Sequence, residues 1–154
     1  MSDQQTTAAR MTWIGGRRFL GESDSGHAVV MDSPRPDHPA SSAATPMEML
    51  LMALCACTGM DVASILEKMR VAPRTLEVSA EADRRATHPR IFTEIRVKFR
   101  VTGDVPEEKL AQAVKLSTET YCSVGAMLAA GTTIKHTWEV LPGQDPSARE
   151  ARHG

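Results

Sequence analysis

The chain has 154 residues, 42% hydrophobic and 24% charged, enough to bury a core without a disulfide scaffold or a structural metal, so disorder along its whole length is excluded. Its 18 basic and 19 acidic residues leave a net charge of −1, which supplies neither the electrostatic footprint of a nucleic-acid binder nor a polybasic patch for anionic lipid. Aromatics are only 4% while methionines number 9, so the core must be aliphatic and methionine-rich.

Residues 1–10 are polar and lack an apolar signal region, and residues 142–154 carry Gly and Pro without periodicity; both read as disordered ends of a single domain spanning 11–141. The domain opens with short strands: Trp13-Ile14, then Arg17 to Leu20 beyond Gly15-Gly16, then His27 to Met31 beyond a turn at 22–26. A loop with Pro34, Pro36 and Pro39 follows. Thr45-Pro46-Met47-Glu48 then starts a helix, with Thr45 at the N-cap, Pro46 at the first helical position and Glu48 closing a capping box. It runs to about residue 70, before Pro73, which is about 37 Å of helix. Its first half, 47–57, carries one charge; a helix apolar all round is buried all round, and one so long for so small a domain implies packing against a second copy. The longest apolar run, 49–57, falls short of the roughly 20 residues of a membrane span, so a soluble, cytoplasmic chain with no membrane partner is expected.

Two alternating strands follow. Leu76, Val78, Ala80 and Ala82 face one way, and Ile95, Val97, Phe99 and Val101 do the same after the loop at 87–90. Pro106-Glu107-Glu108 opens a second helix with an inward face of Leu110, Ala113, Val114 and Ser117. Cys122 sits between it and a short helix ending near Gly131, and 133–140 is a last strand. The order predicts α+β with a mainly antiparallel sheet.

The three cysteines carry the most chemistry. Cys55 and Cys57 project about 200° apart on one helix and make a poor metal clamp, and the cysteines and histidines show no zinc-type spacing, so neither metal nor cofactor is expected. A cysteine of the long helix and Cys122, far apart in sequence, are a candidate redox pair; the plainer reading makes all three small buried hydrophobes. Asp61 lies one turn after Cys57 on the same face, where a carboxylate disfavours a thiolate. His136 shares a strand face with Ile134, Trp138 and Val140 and reads as a packed histidine.

The stretch TPMEMLLMALCACTGMDVASILEKMR resembles the central helix of the OsmC/Ohr family of thiol peroxidases, and STETYCSVGAML resembles its second cysteine segment. FLGESDSGH, HPRIFTEIRVKFRVTG and YCSV resemble the YhfA-like branch in particular, and the likeness covers residues 11–141. It implies the OsmC-like fold, an antiparallel sheet wrapped around a long central helix in an intertwined homodimer. It implies that Cys57 is the reactive cysteine and Cys122 the resolving one, that the substrate is an organic hydroperoxide, that a dithiol such as a lipoyl group is the reductant, and that the role is oxidative stress defence. Active peroxidases of the family hold the thiolate with an arginine and a glutamate. Arg17 in Gly15-Gly16-Arg17-Arg18 matches the arginine; the glutamate position is Met47 here, with Glu48 one residue further on. That displacement keeps a second reading open, a non-enzymatic redox-sensing or small-molecule-binding protein on the same fold. The attacking thiol is open too. Cys57 lies about twelve residues into its helix, beyond the reach of the helix dipole, whereas Cys122 precedes a helix N-terminus.

Overall fold

The computed structural model describes residues 6–143, so the ends expected to be disordered fall largely outside the described residues. The chain divides into two compact units, residues 1–50 and 51–154.

The first unit is a three-stranded antiparallel meander of β1 (Ala9–Trp13), β2 (Phe19–Ser23) and β3 (Ala28–Met31). β1 starts at Ala9, earlier than expected, because Ala9 and Arg10 pair with Ser23 and Glu22. Arg17 and Arg18, expected in a strand, lie in the turn, where Gly15 and Gly16 both hold positive φ and Arg18 N–H bonds to Gly15 O at 3.0 Å. The register places Met11, Trp13, Phe19, Val29 and Met31 on one face, and of these Trp13 is 63% exposed. Asp32 staples the proline-rich loop that follows. Its carboxylate accepts from Ser42 N–H at 2.9 Å, Ser42 Oγ–H at 2.8 Å and Ser33 N–H at 2.8 Å.

α1 (Pro46–Lys68) begins with the expected capping box: Glu48 N–H donates to Thr45 Oγ1 at 3.3 Å, and Thr45 N–H donates to Glu48 Oε2 at 2.7 Å. It ends in a Schellman motif, with Val71 N–H on Leu66 O at 3.0 Å and Arg70 N–H on Glu67 O at 2.9 Å. Arg70 holds the left-handed position, φ 58°, that glycine ordinarily fills. By length and composition α1 could cross a membrane, with a mean hydropathy of 1.9. Within this chain it buries Leu54, Val62, Ile65 and Leu66. Met52 and Met60 stay 54% and 70% exposed on the single chain, so the expected all-round burial is not met within it.

The second unit's sheet has the order β4 (Thr75–Arg84), β5 (Phe92–Thr102), β6 (Thr133–Leu141). β4 and β5 pair antiparallel, as their alternation implies. The pairing is mainly antiparallel, as expected, but β6 runs parallel to β5, Ile95 beside Ile134 and Phe99 beside Trp138. The cause is the crossover through α2 (Glu107–Leu116) and α3 (Ser123–Ala129), which returns the chain in the same direction. The pairing also skips Thr93 opposite Asp83 and Arg84, a bulge that lets Phe92 join Ile95, Val97, Phe99 and Val101 in the core. The wet face carries ion pairs: Arg96 with Asp83 at 2.6 Å, Lys135 with Glu94 at 2.6 Å and Arg100 with Glu139 at 2.8 Å. Gly59 brings α1 close to β4, since a Cβ there would lie 3.2 Å from Val78 Cγ2.

Two outcomes follow from this backbone. Arg70→Gly should raise the urea unfolding free energy by about 1 kcal/mol, because it removes the left-handed strain of a residue with a Cβ. The hydrogen bonds to Asp32 hold its carboxyl down to about 2. A group depressed in the folded state contributes stability that is complete above its unfolded value, about 4, and is lost as pH falls towards 2. Unfolding free energies measured between those pH values should therefore fall more steeply for the wild type than for Asp32→Asn.

Candidate functional site

The face of α1 that carries Leu54, Thr58, Val62 and Ile65 is apolar except at Thr58, whose residue is 1% exposed. On α2 the inward row Leu110, Ala113, Val114 is followed by a second buried hydroxyl, Ser117. A hydroxyl without a partner in such a place would be costly, and the two meet at 2.8 Å between Oγ atoms. Ser117 Oγ–H also donates to Asp61 Oδ2 at 2.9 Å. Ser117 has one proton and gives it to the carboxylate, so Thr58 is the donor of the first bond. The chain Thr58 to Ser117 to Asp61 thus ties α1 to the end of α2.

α2 runs directly into a π-turn, Ser117–Tyr121, closed by Cys122 N–H on Ser117 O at 2.8 Å. This wider turn has Ser117 at its entry and Cys122 at its exit. Cys122 is the N-cap of α3, and its Sγ accepts from Gly125 N–H at 3.3 Å. A Cβ on Gly125 would lie 3.1 Å from that sulfur, so the bare backbone is what admits it. The result is a cluster in which Cys57 Sγ, Cys122 Sγ and an Asp61 carboxylate oxygen all lie within 4.8 Å of one another. Cys122 is buried; Cys57 and Asp61 are half-buried. All three cysteines are thiols.

Burial is the largest influence on Cys122. It outweighs the Gly125 N–H, and with Cys57 and Asp61 beside it the thiol is pushed up to about 11. The short helix ahead of Cys122 therefore leaves it a thiol at neutral pH. Cys55 projects away from Cys57 and is half-buried, and burial pushes its thiol up as well.

Of the residues singled out by sequence, the structure brings Cys57 and Cys122 together with Asp61. Arg17 lies in the first unit, where its guanidinium donates to Pro34 O at 2.6 Å and borders a cavity of about 180 Å³ with Arg18, Asp32 and Arg35. Glu48, in the same unit, is held in its capping box, and the two hydrogen bonds from Thr45 keep its carboxyl below the ordinary range. His136 stacks on Phe99 with ring centroids 6.3 Å apart, and burial lowers its pKa. The sequence places Ser117 on the inward face of α2 but marks neither it nor Thr58 as a functional residue. The signal was present as two hydroxyls in otherwise apolar helical rows, but only the fold pairs them.

Residues 38–137 match the sequence model of the family described as OsmC-like protein. Protein YhfA of Escherichia coli K12 is 46% identical over 134 residues, which is 86% of this chain and 97% of that protein. A hypothetical protein from Aquifex aeolicus VF5 superposes with a TM-score of 0.82 at 33% identity, over 92% of this chain and all of that one. An organic hydroperoxide resistance protein OsmC from Legionella pneumophila has the same fold, with a TM-score of 0.67 at 18% identity over 90% of this chain and all of its own.

Ser117→Ala would leave Thr58 and Asp61 without their shared partner. It should lower the unfolding free energy by about 1–3 kcal/mol, while Thr118→Ala next to it, whose exposed hydroxyl bonds only to the Val114 carbonyl, should cost less than about 1 kcal/mol.

Proposed function

This chain belongs to the OsmC-like protein family, and we propose that it reduces organic hydroperoxides with Cys57 and Cys122, using electrons from a dithiol, as a homodimer. Family membership supports a redox or peroxide-related role. The single observation that carries the finer reading is the convergence of two sulfurs from separate elements within 4.8 Å.

The chemistry runs in three steps. The Cys57 thiolate attacks the terminal oxygen of the hydroperoxide; an S–O bond forms, the O–O bond breaks, and the alkoxide takes a proton and leaves as the alcohol. The Cys122 sulfur then attacks the sulfenic sulfur; the S–S bond forms, the S–O bond breaks, and water leaves with the Cys122 proton. A dithiol of the lipoyl kind restores both thiols by two exchanges and is itself oxidised to its disulfide. Forming the bond draws the sulfurs to about 2.05 Å.

Cys57 is the attacking thiol in this reading because Cys122, pushed up to about 11, stays protonated at neutral pH. A thiol suits the resolving role, in which it loses its proton only as it meets the sulfenic acid. Asp61 opposes a neighbouring thiolate, so the reaction requires a cation, and the family resemblance assigns that part to Arg17. Glu48 closes its capping box at the start of α1 and is the carboxylate that the family resemblance offers as the partner of that arginine. The exposed Met52 and Met60 of α1, together with the open apolar face of the first sheet, support the homodimer.

Cumene hydroperoxide with a dithiol provides the test. Wild type should turn over; Cys57→Ser should not. Cys122→Ser should consume one peroxide per chain and leave a sulfenic acid at Cys57, trapped by dimedone and located by mass spectrometry. Arg17→Ala should slow the first step, and Cys55→Ser should leave it unchanged. A sulfenic acid on Cys122 in the Cys57→Ser protein would reverse the two roles. Wild-type protein without turnover would point to the non-enzymatic sensing or binding reading.

A further inference from the structure

The thiol pair does not stand alone: a carboxylate shares its site. Two sulfurs and an oxygen within 4.8 Å of one another form a ligand set for a soft or borderline cation, and hard ions such as Mg²⁺ or Ca²⁺, which take oxygen ligands, are a poor match. We propose that the reduced protein binds one thiophilic divalent cation per chain, Zn²⁺ being the representative, through Cys57 Sγ, Cys122 Sγ and the Asp61 carboxylate, with water in the fourth position.

The local geometry supports this. Cys57 and Asp61 are one turn apart on α1, so the helix presents them side by side, and the π-turn delivers Cys122 opposite. In a tetrahedral zinc centre with Zn–S near 2.3 Å and Zn–O near 2.0–2.2 Å, donor atoms lie about 3.4–3.8 Å apart. The three atoms here are within 4.8 Å of one another, so closing onto a cation takes side-chain movements of about 1 Å. The groups behind the ligands are already in place. Ser117 orients Asp61, Thr58 braces Ser117, and Gly125 N–H holds the Cys122 sulfur. Such outer contacts pre-set the ligands of a metal and leave fewer to organise on binding.

Electrostatics point the same way. Without a cation, burial and the neighbouring carboxylate oppose the ionisation of Cys122; a dication makes all three negative ligands favourable at once. A cation takes both cysteines as thiolates, so binding leaves the centre with a formal charge of −1 and strengthens as pH rises. Cys122 is buried while Cys57 and Asp61 are half-buried, so the site has a dry wall and an open side. Three protein ligands and an open position are the pattern of an exchangeable site rather than a closed structural one. The spacing of cysteines and histidines could not show this, because the third ligand is an aspartate and the second cysteine lies 65 positions beyond the first. A sulfur bound to zinc is not free to form the Cys57–Cys122 disulfide, so metal occupancy and oxidation exclude one another.

The test needs no peroxide and so stands apart from the hydroperoxide reading. Full-length protein, reduced and stripped of metal, is titrated with Zn²⁺ against a chromophoric chelator and with Co²⁺ by absorption. One Zn²⁺ should bind per chain, and Co²⁺ should give thiolate-to-metal charge transfer. Cys57→Ser and Cys122→Ser should each weaken Zn²⁺ binding at least about hundredfold, Asp61→Asn and Ser117→Ala about tenfold or more, and Cys55→Ser not at all. In unmutated protein, Zn²⁺ should slow alkylation of Cys57 and Cys122 but not of Cys55, a readout independent of how the variants fold. No stoichiometric binding, binding that survives Cys57→Ser, or equal protection of Cys55 would overturn the proposal. A protein that turns over hydroperoxide yet binds no Zn²⁺ would sink this inference alone, and one that binds Zn²⁺ but is inert to peroxide would sink only the other.

Discussion

Thr58 sits in the middle of an apolar helix with 1% of its surface exposed, and a hydroxyl so placed must find a partner. The partner is Ser117, whose own hydroxyl donates a hydrogen bond to Asp61, and much of the second unit's arrangement hangs on that short chain. It fixes the rotation of α1 against α2, for turning α1 by one residue would bury Cys57 or Gly59 where Thr58 stands. It also fixes where the π-turn begins, and therefore where Cys122 ends. One polar contact inside an apolar core thus sets the distance between two sulfurs that belong to different elements.

The same contact shapes the chemistry of the thiols. Burial and the adjoining carboxylate both oppose negative charge on Cys122, and one amide from Gly125 does not reverse them. Such surroundings keep Cys122 a neutral thiol until something positive arrives. An arginine, in the hydroperoxide reading, and a bound dication, in the metal reading, answer the same electrostatic need by different means. In both, Asp61 makes the state of the thiols depend strongly on that positive partner, so the cluster is suited to conditional rather than constant reactivity.

Around this centre the sheet is a platform. Ile95, Val97, Phe99 and Val101 line one face of β5, and the bulge at Thr93 adds Phe92 to them. The opposite face carries ion pairs that are exposed and contribute little to stability, yet keep that face soluble. The two helices between β5 and β6 make the last pairing parallel, and the π-turn that joins them has Ser117 at its entry and Cys122 at its exit.

Local chemistry was legible in the sequence wherever its signal was local. The capping box at Thr45 and Glu48, the alternation of β4 and β5, the apolar row of α2 and the exit of Cys122 into a short helix all rest on neighbours within a few residues, and each has the expected form. The likeness to the OsmC/Ohr family was legible too, because its two cysteine segments keep their order and context. Strand direction was not, since β6 takes its sense from a crossover of some thirty residues rather than from its own pattern. Nor was the bulge at Thr93, which depends on what β4 offers across the pair. The π-turn was hidden for a similar reason, as Ser117–Tyr121 has no composition that distinguishes it from one more turn of α2. Above all, sequence put Asp61 beside Cys57 but gave no sign that Ser117 would bind the one and lead Cys122 to the other. Residues 56 and 59 positions apart meet only when the fold has closed, and that meeting gathers a buried and a half-buried thiol into one cluster.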